Sequence, residues 1–382
     1  MRFFPLLWTA VMALPTVLAE DAPHFLRAVG MLPVLAFLPA LGLDWLLQPR
    51  GHRDMKDNPR IWNLAPLRLG GSRTLGLVVC TLALGMELWS GARAYFGAYA
   101  RDPMTGYWFE RGAVALGADI NRFLGVGWSA AASPSMPVAG PEGRAYLDPL
   151  LWEDWPQVRF LVAAPERVTV GLEAGGTPCC EAKRMTGILG SLGQQGVPVA
   201  VFLWPYGEWT RAWALLPHPA EVTVIEGPLS QHDRDTEPFV TYIAFAAVRP
   251  GPVPPPQARL SGGVELLGAQ VTPLEGGAVR VRLRWRATAP LDGDYTVFLH
   301  YRRDGQTIGQ GDGPPAGGRY PTSIWQSGDI VNDDHVVPSV GSPQPGRDEI
   351  VFGLWNPQTG EYLSVLDEAG NPAGVEVRMP VP

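Results

Sequence analysis

Hydrophobic positions in this chain follow three rhythms. Long apolar runs fill the first hundred residues, at 3–19, 25–47 and 74–93. Such runs predict membrane-spanning helices. The first follows Arg2 and ends in Val17-Leu18-Ala19, so it reads either as a short span or as a signal peptide with a small-residue cleavage site. The second carries Pro33 and Pro39, which kink a span that neighbours can satisfy. The third is uncharged from Leu75 to Met86, then meets Glu87, Trp89, Arg93 and the pair Tyr95-Phe96. The loop before it holds Arg50, Arg53, Lys56, Arg60, Arg68 and Arg73 against Asp54 and Asp57. A Lys/Arg bias in a short loop marks the cytoplasmic side. The expectation is a multi-pass cell-membrane protein whose C-terminal domains, beyond about Arg93, are extracytoplasmic.

The second rhythm is helical and mixed. Phe109, Ala113, Leu116, Ile120 and Phe123 fall on one face of a helix over 107–124. Strands are predicted at 144–147, 159–162, 197–204, 221–226 and 239–248, with short helices at 149–157 and 206–216. Strands alternating with helices predict a small α/β domain over 101–248. The segment 249–257, RPGPVPPPQ, is a stiff proline-rich linker. Beyond it the period drops to two. Val279, Val281, Leu283 and Trp285 alternate with Arg280, Arg282, Arg284 and Arg286, and Tyr295, Val297, Leu299 and Tyr301 repeat the pattern. Further strands at 349–355 and 374–379 complete an expected β-sandwich over 258–382. The predicted fold class is therefore membrane α, with about three transmembrane helices in 1–100, followed by a small α/β extracytoplasmic domain and a C-terminal all-β sandwich.

Charge and cysteine usage narrow the function classes. Residues 1–93 hold nine Lys/Arg and six Asp/Glu, a net of +3, which leaves −10 to the remainder of a chain whose total is −7. An acidic outer part argues against a nucleic-acid partner. The cysteines are Cys80 and the adjacent Cys179-Cys180, which form neither a zinc pattern nor a disulfide framework. The glycine-rich stretch 171–196 contains no dinucleotide fingerprint and no phosphate-binding loop, so no cofactor is expected.

Three stretches carry a resemblance. They are Pro23-His24-Phe25-Leu26-Arg27-Ala28-Val29-Gly30, then Tyr95-Phe96 with Tyr99-Ala100 and Pro103, and Arg319-Tyr320-Pro321-Thr322-Ser323-Ile324-Trp325-Gln326-Ser327-Gly328-Asp329. Asp294-Tyr295-Thr296-Val297-Phe298-Leu299-His300 lies in the same β region. Together they resemble the C-terminal end of bacterial protein O-mannosyltransferase-like glycosyltransferases of the GT-C superfamily. The resemblance implies many spans, a polyprenyl-phosphate-linked sugar donor, and extracytoplasmic domains. The family's catalytic acidic residue lies on a long first external loop, whereas the loop here is about six residues long, with Glu20-Asp21 its acidic pair. The expected function is thus the C-terminal part of such an enzyme, inactive by itself and served by a catalytic membrane partner. The alternative is a membrane-anchored glycan-binding or accessory module.

Few residues suggest chemistry. His24 and Arg27 sit where a lipid phosphate would lie, and a guanidinium fork suits phosphate; the bland alternative is an interfacial anchor. Glu20-Asp21 could act as a base but reads better as a solvated loop. No catalytic residue is assigned. Tyr320, Trp325 and Trp355 are candidates for stacking on sugar rings, against core packing as the simpler role. Asn332-Asp333-Asp334-His335 offers oxygen ligands for Ca²⁺ without the spacing of a known loop, so a polar turn is expected and no metal is assigned. Trp204, Trp209 and Trp213 are expected in the core.

Overall fold

The computed structural model of the protein describes residues 73–171, 196–338 and 341–381. Residues 1–100 and 101–382 form two compact units. In the first, α1 (Arg73–Arg93) runs on into a π-helical turn, Ala94–Tyr99. The three-span expectation is corrected here. Among the described residues, no helix is long and apolar enough to cross a membrane. The reason is visible in α1: its charge-free run from Thr74 to Met86 ends well short of the roughly 20 residues a span needs. The multi-pass localisation loses its support with it. The segments 3–19 and 25–47, with Glu20, Asp21, His24 and Arg27, lie outside the described residues, as do Cys179 and Cys180.

The second unit is mostly β. Its helices are short: α2 (Pro103–Trp108), α3 (Arg111–Leu124), α4 (Pro149–Asp154) and α5 (Val158–Leu161). The strands before the proline-rich segment are β1 (Arg144–Leu147), β2 (Val168–Val170), β3 (Val199–Leu203), β4 (Glu221–Glu226), the small hairpin β5 (Leu229–Ser230) and β6 (Phe239–Val240), and β7 (Ile243–Val248). After it come β8 (Ala258–Leu260), β9 (Val264–Pro273), β10 (Val279–Ala287), β11 (Thr296–Arg303), β12 (Gln306–Gln310), β13 (Ile330–Val337), β14 (Asp348–Trp355), β15 (Val365–Leu366), β16 (Pro372–Gly374) and β17 (Val377–Pro380).

The predicted separation into an α/β layer and a sandwich is also corrected. One eleven-stranded sheet, ordered β16-β15-β8-β9-β10-β13-β4-β7-β3-β1-β2, contains strands from both sides of the proline-rich segment. The join is the parallel pairing of Ile330, Val331 and Asn332 with Glu221, Val222 and Thr223. A second, four-stranded sheet, β12-β11-β14-β17, lies over part of it. Their shared core includes Val281, Leu283 and Trp285 from β10 and Leu299, Ile350 and Phe352 from the smaller sheet, continuous with Val201 and Phe245 near the other end. Trp285 and Phe352 meet edge-to-face at 6.2 Å.

Local differences from the sequence reading have local causes. The helix expected over 107–124 is two helices, because Glu110 takes a left-handed conformation (φ 46°). Ala113, Leu116, Ile120 and Phe123 are fully buried as the pattern requires, but Phe109 lies beyond the break and is exposed. The strand expected over 159–162 is instead the helical turn α5, closed by Leu161 N donating to Gln157 O at 3.1 Å. The segment expected as a helix over 206–216 is a 3-10 helix, Trp209–Leu215.

Candidate functional site

The outward face of the four-stranded sheet gathers an aromatic cluster in which Tyr362 is exposed, Trp355 half-buried and Phe298 buried. Period-two alternation sets up the face. On β11, Val297, Leu299 and Tyr301 enter the core, which turns Phe298, His300 and Arg302 outward. On β14, Ile350, Phe352 and Leu354 point into the shared core, leaving Val351, Gly353 and Trp355 on the other face, where Val351 and Gly353 are nonetheless buried and Trp355 is half-buried. Gly353 is required beneath Phe298. A Cβ there would lie 2.7 Å from the Phe298 ring and 2.5 Å from the Val375 carbonyl, so any larger residue would lift the ring away.

After Trp355 the chain turns sharply. Asn356 Oδ1 accepts from Gln358 N at 2.8 Å, Gly360 N donates to Asn356 O at 2.8 Å, and Gly360 takes a φ of 76°. The turn returns Tyr362 to a bridge with Trp355, on the same side of the sheet. The two rings lie 6.2 Å apart with planes 26° from parallel, and Tyr362 is 51% exposed. Phe298 supports Tyr362 edge-on at 5.5 Å and touches His300 at 5.8 Å. Beyond His300 the face becomes polar. Gln310 Nε2 lies 3.4 Å from His300 Nε2, and Asp312 Oδ1 lies 3.8 Å from it. Leu299 N donates to Asp312 Oδ1 at 2.7 Å, which fixes the carboxylate at the strip's edge. The result is a strip with the aromatic pair Trp355 and Tyr362, supported by buried Phe298, at one end and hydrogen-bonding groups at the other.

Of the three sequence candidates for stacking, only Trp355 belongs to this strip. Tyr320 and Trp325 are buried in the core at 0% and 1% exposure, so neither can meet a ligand. Trp325 Nε1 donates to Tyr320 O at 3.1 Å, folding the motif back on itself. Burial pushes the Tyr320 phenol well above its usual range, and the nearby Asp329 charge adds to this. Phe298, Tyr362 and His300 were not among the candidates. Their signal was available in part: Phe298 and His300 occupy the outward register of an alternating strand.

The remaining candidates are accounted for separately. Residues 332–335 lie within β13, not in a turn, so their side chains alternate and cannot converge on an ion. Asp333 faces the core, where it accepts from Trp285 Nε1 at 3.2 Å and Ala316 N at 2.9 Å and meets His335 Nε2 at 2.8 Å. The second ring nitrogen of His335 faces Gly311 O at 3.1 Å. Burial alone would lower the His335 pKa, but the bond to Asp333 and that carbonyl together raise it. Trp213 packs against the core, and Trp204 is half-buried beside the exposed Tyr206.

No protein-family model matches the chain, and no curated protein does. Among solved structures it is similar to an endonuclease/exonuclease/phosphatase from Beutenbergia cavernae DSM 12333, at 12% identity and a TM-score of 0.19. That match covers 52% of this chain and 58% of that one, so the chain spans little more than half its length. Similarity at this level carries no argument about fold or site.

Proposed function

We propose that the outward face of the four-stranded sheet binds glycan. The observation that carries this reading is the side-by-side pair of half-buried Trp355 and exposed Tyr362, next to the polar group His300, Gln310 and Asp312. A sugar ring has an apolar C–H face and a rim of hydroxyls. Aromatic faces suit the first, and side chains that both donate and accept suit the second. The glycosyltransferase reading rests on sequence resemblance alone, and the described residues add no group to it.

Affinity electrophoresis of the full chain through gels containing soluble polysaccharides tests the proposal. Retardation by at least one polysaccharide is expected. Trp355→Ala and Tyr362→Ala should each weaken it about tenfold, the loss of one good stacking contact. Retardation that survives both substitutions would remove the strip from the binding surface. Absence of retardation by plant, fungal and bacterial polysaccharides alike would overturn the reading.

A further inference from the structure

A second concave site lies at the carboxyl ends of the parallel strands β1 and β3, the place where open α/β layers put ligands. β3 leads directly into a turn at Trp204–Gly207, closed by Gly207 N donating to Trp204 O at 3.3 Å. Trp204 N is held to Asp148 Oδ2 at 3.2 Å, and Asp148 Oδ1 accepts from Leu150 N at the start of α4. One wall of the site is therefore anchored to two strand ends and a helix.

The opposite wall is the loop of the β5–β6 hairpin, residues 231–238. Its own side chains hold its shape. Gln231 Nε2 donates to Asp235 O at 3.1 Å, and His232 N donates to Asp235 Oδ2 at 2.9 Å. Gln231 N donates to Pro103 O at 3.1 Å, and the His232 ring packs edge-on against Tyr107 at 4.8 Å. Between these walls lies an open depression lined by Trp204, Tyr206 and Phe239 together with Arg234, Asp235 and Glu237. Trp204 and Tyr206 meet edge-to-face at 5.9 Å, and Tyr206 is 64% exposed.

The charges narrow the choice of ligand. Arg234 and Glu237 both line the depression, and among the described residues neither side chain forms an ion pair. A simple anion would meet Arg234 but would face two carboxylates. A simple cation would meet the carboxylates and the aromatic faces but would face the guanidinium. A ligand carrying both signs satisfies every group. Aromatic faces and a carboxylate hold an ammonium, and a guanidinium holds an oxyanion through paired hydrogen bonds. We infer that this depression binds a small phosphoryl-ammonium zwitterion, its ammonium among Trp204, Tyr206 and Glu237 and its anionic oxygens on Arg234. The site is separate from the sheet face and does not depend on the glycan reading.

The test follows tryptophan fluorescence of the full chain during titration, with phosphocholine as the probe and no glycan present. Saturable quenching is expected, with choline alone and inorganic phosphate alone each about tenfold weaker. Arg234→Ala should reduce phosphocholine to the affinity of choline. Glu237→Gln and Tyr206→Ala should each weaken it about fivefold. Arg282→Ala, on the large sheet's charged face, should leave it unchanged. These four side chains are solvent-accessible, so unchanged thermal melts identify the losses as binding effects. Vesicles bearing the same head group, used in place of the free probe, tell a lipid-borne ligand from a soluble one. No saturable change up to about 10 mM phosphocholine, or choline binding as tightly as phosphocholine with no response to Arg234→Ala, overturns the inference.

Discussion

One face of the eleven-stranded sheet is built in two opposite ways. At one end, Ala200, Phe202, Ala244, Ala246 and Ile225 lie beneath α3, with Leu116, Ile120 and Phe123 packed onto them. At the other end the same face carries Arg282, Arg284 and Arg286, and among the described residues no helix packs onto it. The changeover occurs on a single strand: on β4, Ile225 belongs to the helix-covered core while Glu221, four residues earlier, binds Arg284. A column of arginines two residues apart would repel itself. Acids on nearby strands prevent this: Glu265 on β9 with Arg286 and Asp334 on β13 with Arg282 from the adjacent strands, and Glu221 on β4 with Arg284 from one strand further on. A sheet face can thus be completed by apolar cover or by cross-strand charge pairing. The first contributes far more stability per residue, because burying apolar area is favourable while an exposed ion pair exchanges water for a partner at little net gain.

The largest effect should follow from disturbing the covered half. Phe202→Ala leaves a cavity under α3 and should destabilise by about 3–5 kcal/mol, measured as a lower urea midpoint. A loss below about 1 kcal/mol would mean that the helices contribute little to that half. Two carboxylates, Asp119 on the helix over the covered half and Asp348 on the smaller sheet, should then titrate with opposite sign. Asp348, at the start of β14, accepts from Arg303 Nε at 2.7 Å, Tyr301 OH at 2.6 Å and Gln344 N at 2.7 Å. The Arg303 bond holds its pKa below the ordinary carboxylate value, against the opposing effect of burial. Its contribution is present above that ordinary value and is lost as pH falls through the depressed one. Asp119 on α3 is raised by burial, only partly offset by the bond from Tyr242, so its ionisation costs stability as pH rises through the raised value. Asp348→Asn should cost about 2 kcal/mol near neutral pH, a gap that narrows on acidification. The gap for Asp119→Asn should instead narrow as pH rises. Urea midpoints across pH 2–8 would show both slopes, and parallel slopes would contradict the assignment.

Much of this was legible in the chain. The alternation over 279–285 and the helical face at 113–123 each follow from a local period, and local periods survive folding when one side is buried. The join between the halves was not legible. It consists of three residue pairs between segments more than a hundred positions apart, and no local pattern encodes that register. The break at Glu110 was hidden for another reason: the left-handed residue is neither glycine nor asparagine, so it gave no turn signal. For the candidate strip, Trp355 was readable as an aromatic residue in a strand. Its partner Tyr362 arrives through a turn whose geometry depends on Asn356 and Gly360, and Tyr320 and Trp325 looked equally suitable because sequence does not tell an inward tryptophan from an outward one.

A smaller effect is expected at the join itself. Glu221 receives Arg284 Nε at 3.0 Å and Nη2 at 2.7 Å, and Asn332 Nδ2 at 3.1 Å, with both members of the ion pair less than a third exposed. Glu221→Ala should cost about 1 kcal/mol, less at high salt. The melt should remain a single transition, because Val222 and Val331 keep the two halves packed beneath the pair. Two separated transitions would show that the charge cluster, not the core, couples them.

The smallest effect is the one that most directly tests the comparison. Arg282 pairs with Asp334 at 3.2 Å, but the two side chains are 42% and 49% exposed. Holding two long side chains together in water costs conformational entropy close to what the attraction returns. Arg282→Ala should therefore change stability by less than about 0.5 kcal/mol. The remaining Asp334 is exposed enough to be solvated, so no buried charge is left behind. Arg284 and Arg286 keep their own acids, so the column gains no new repulsion. A loss well above 1 kcal/mol, sensitive to salt, would mean that the arginines and acids act as one network. The bare half of the face would then depend on its charges as the covered half depends on its helices, and the contrast drawn between them would fail.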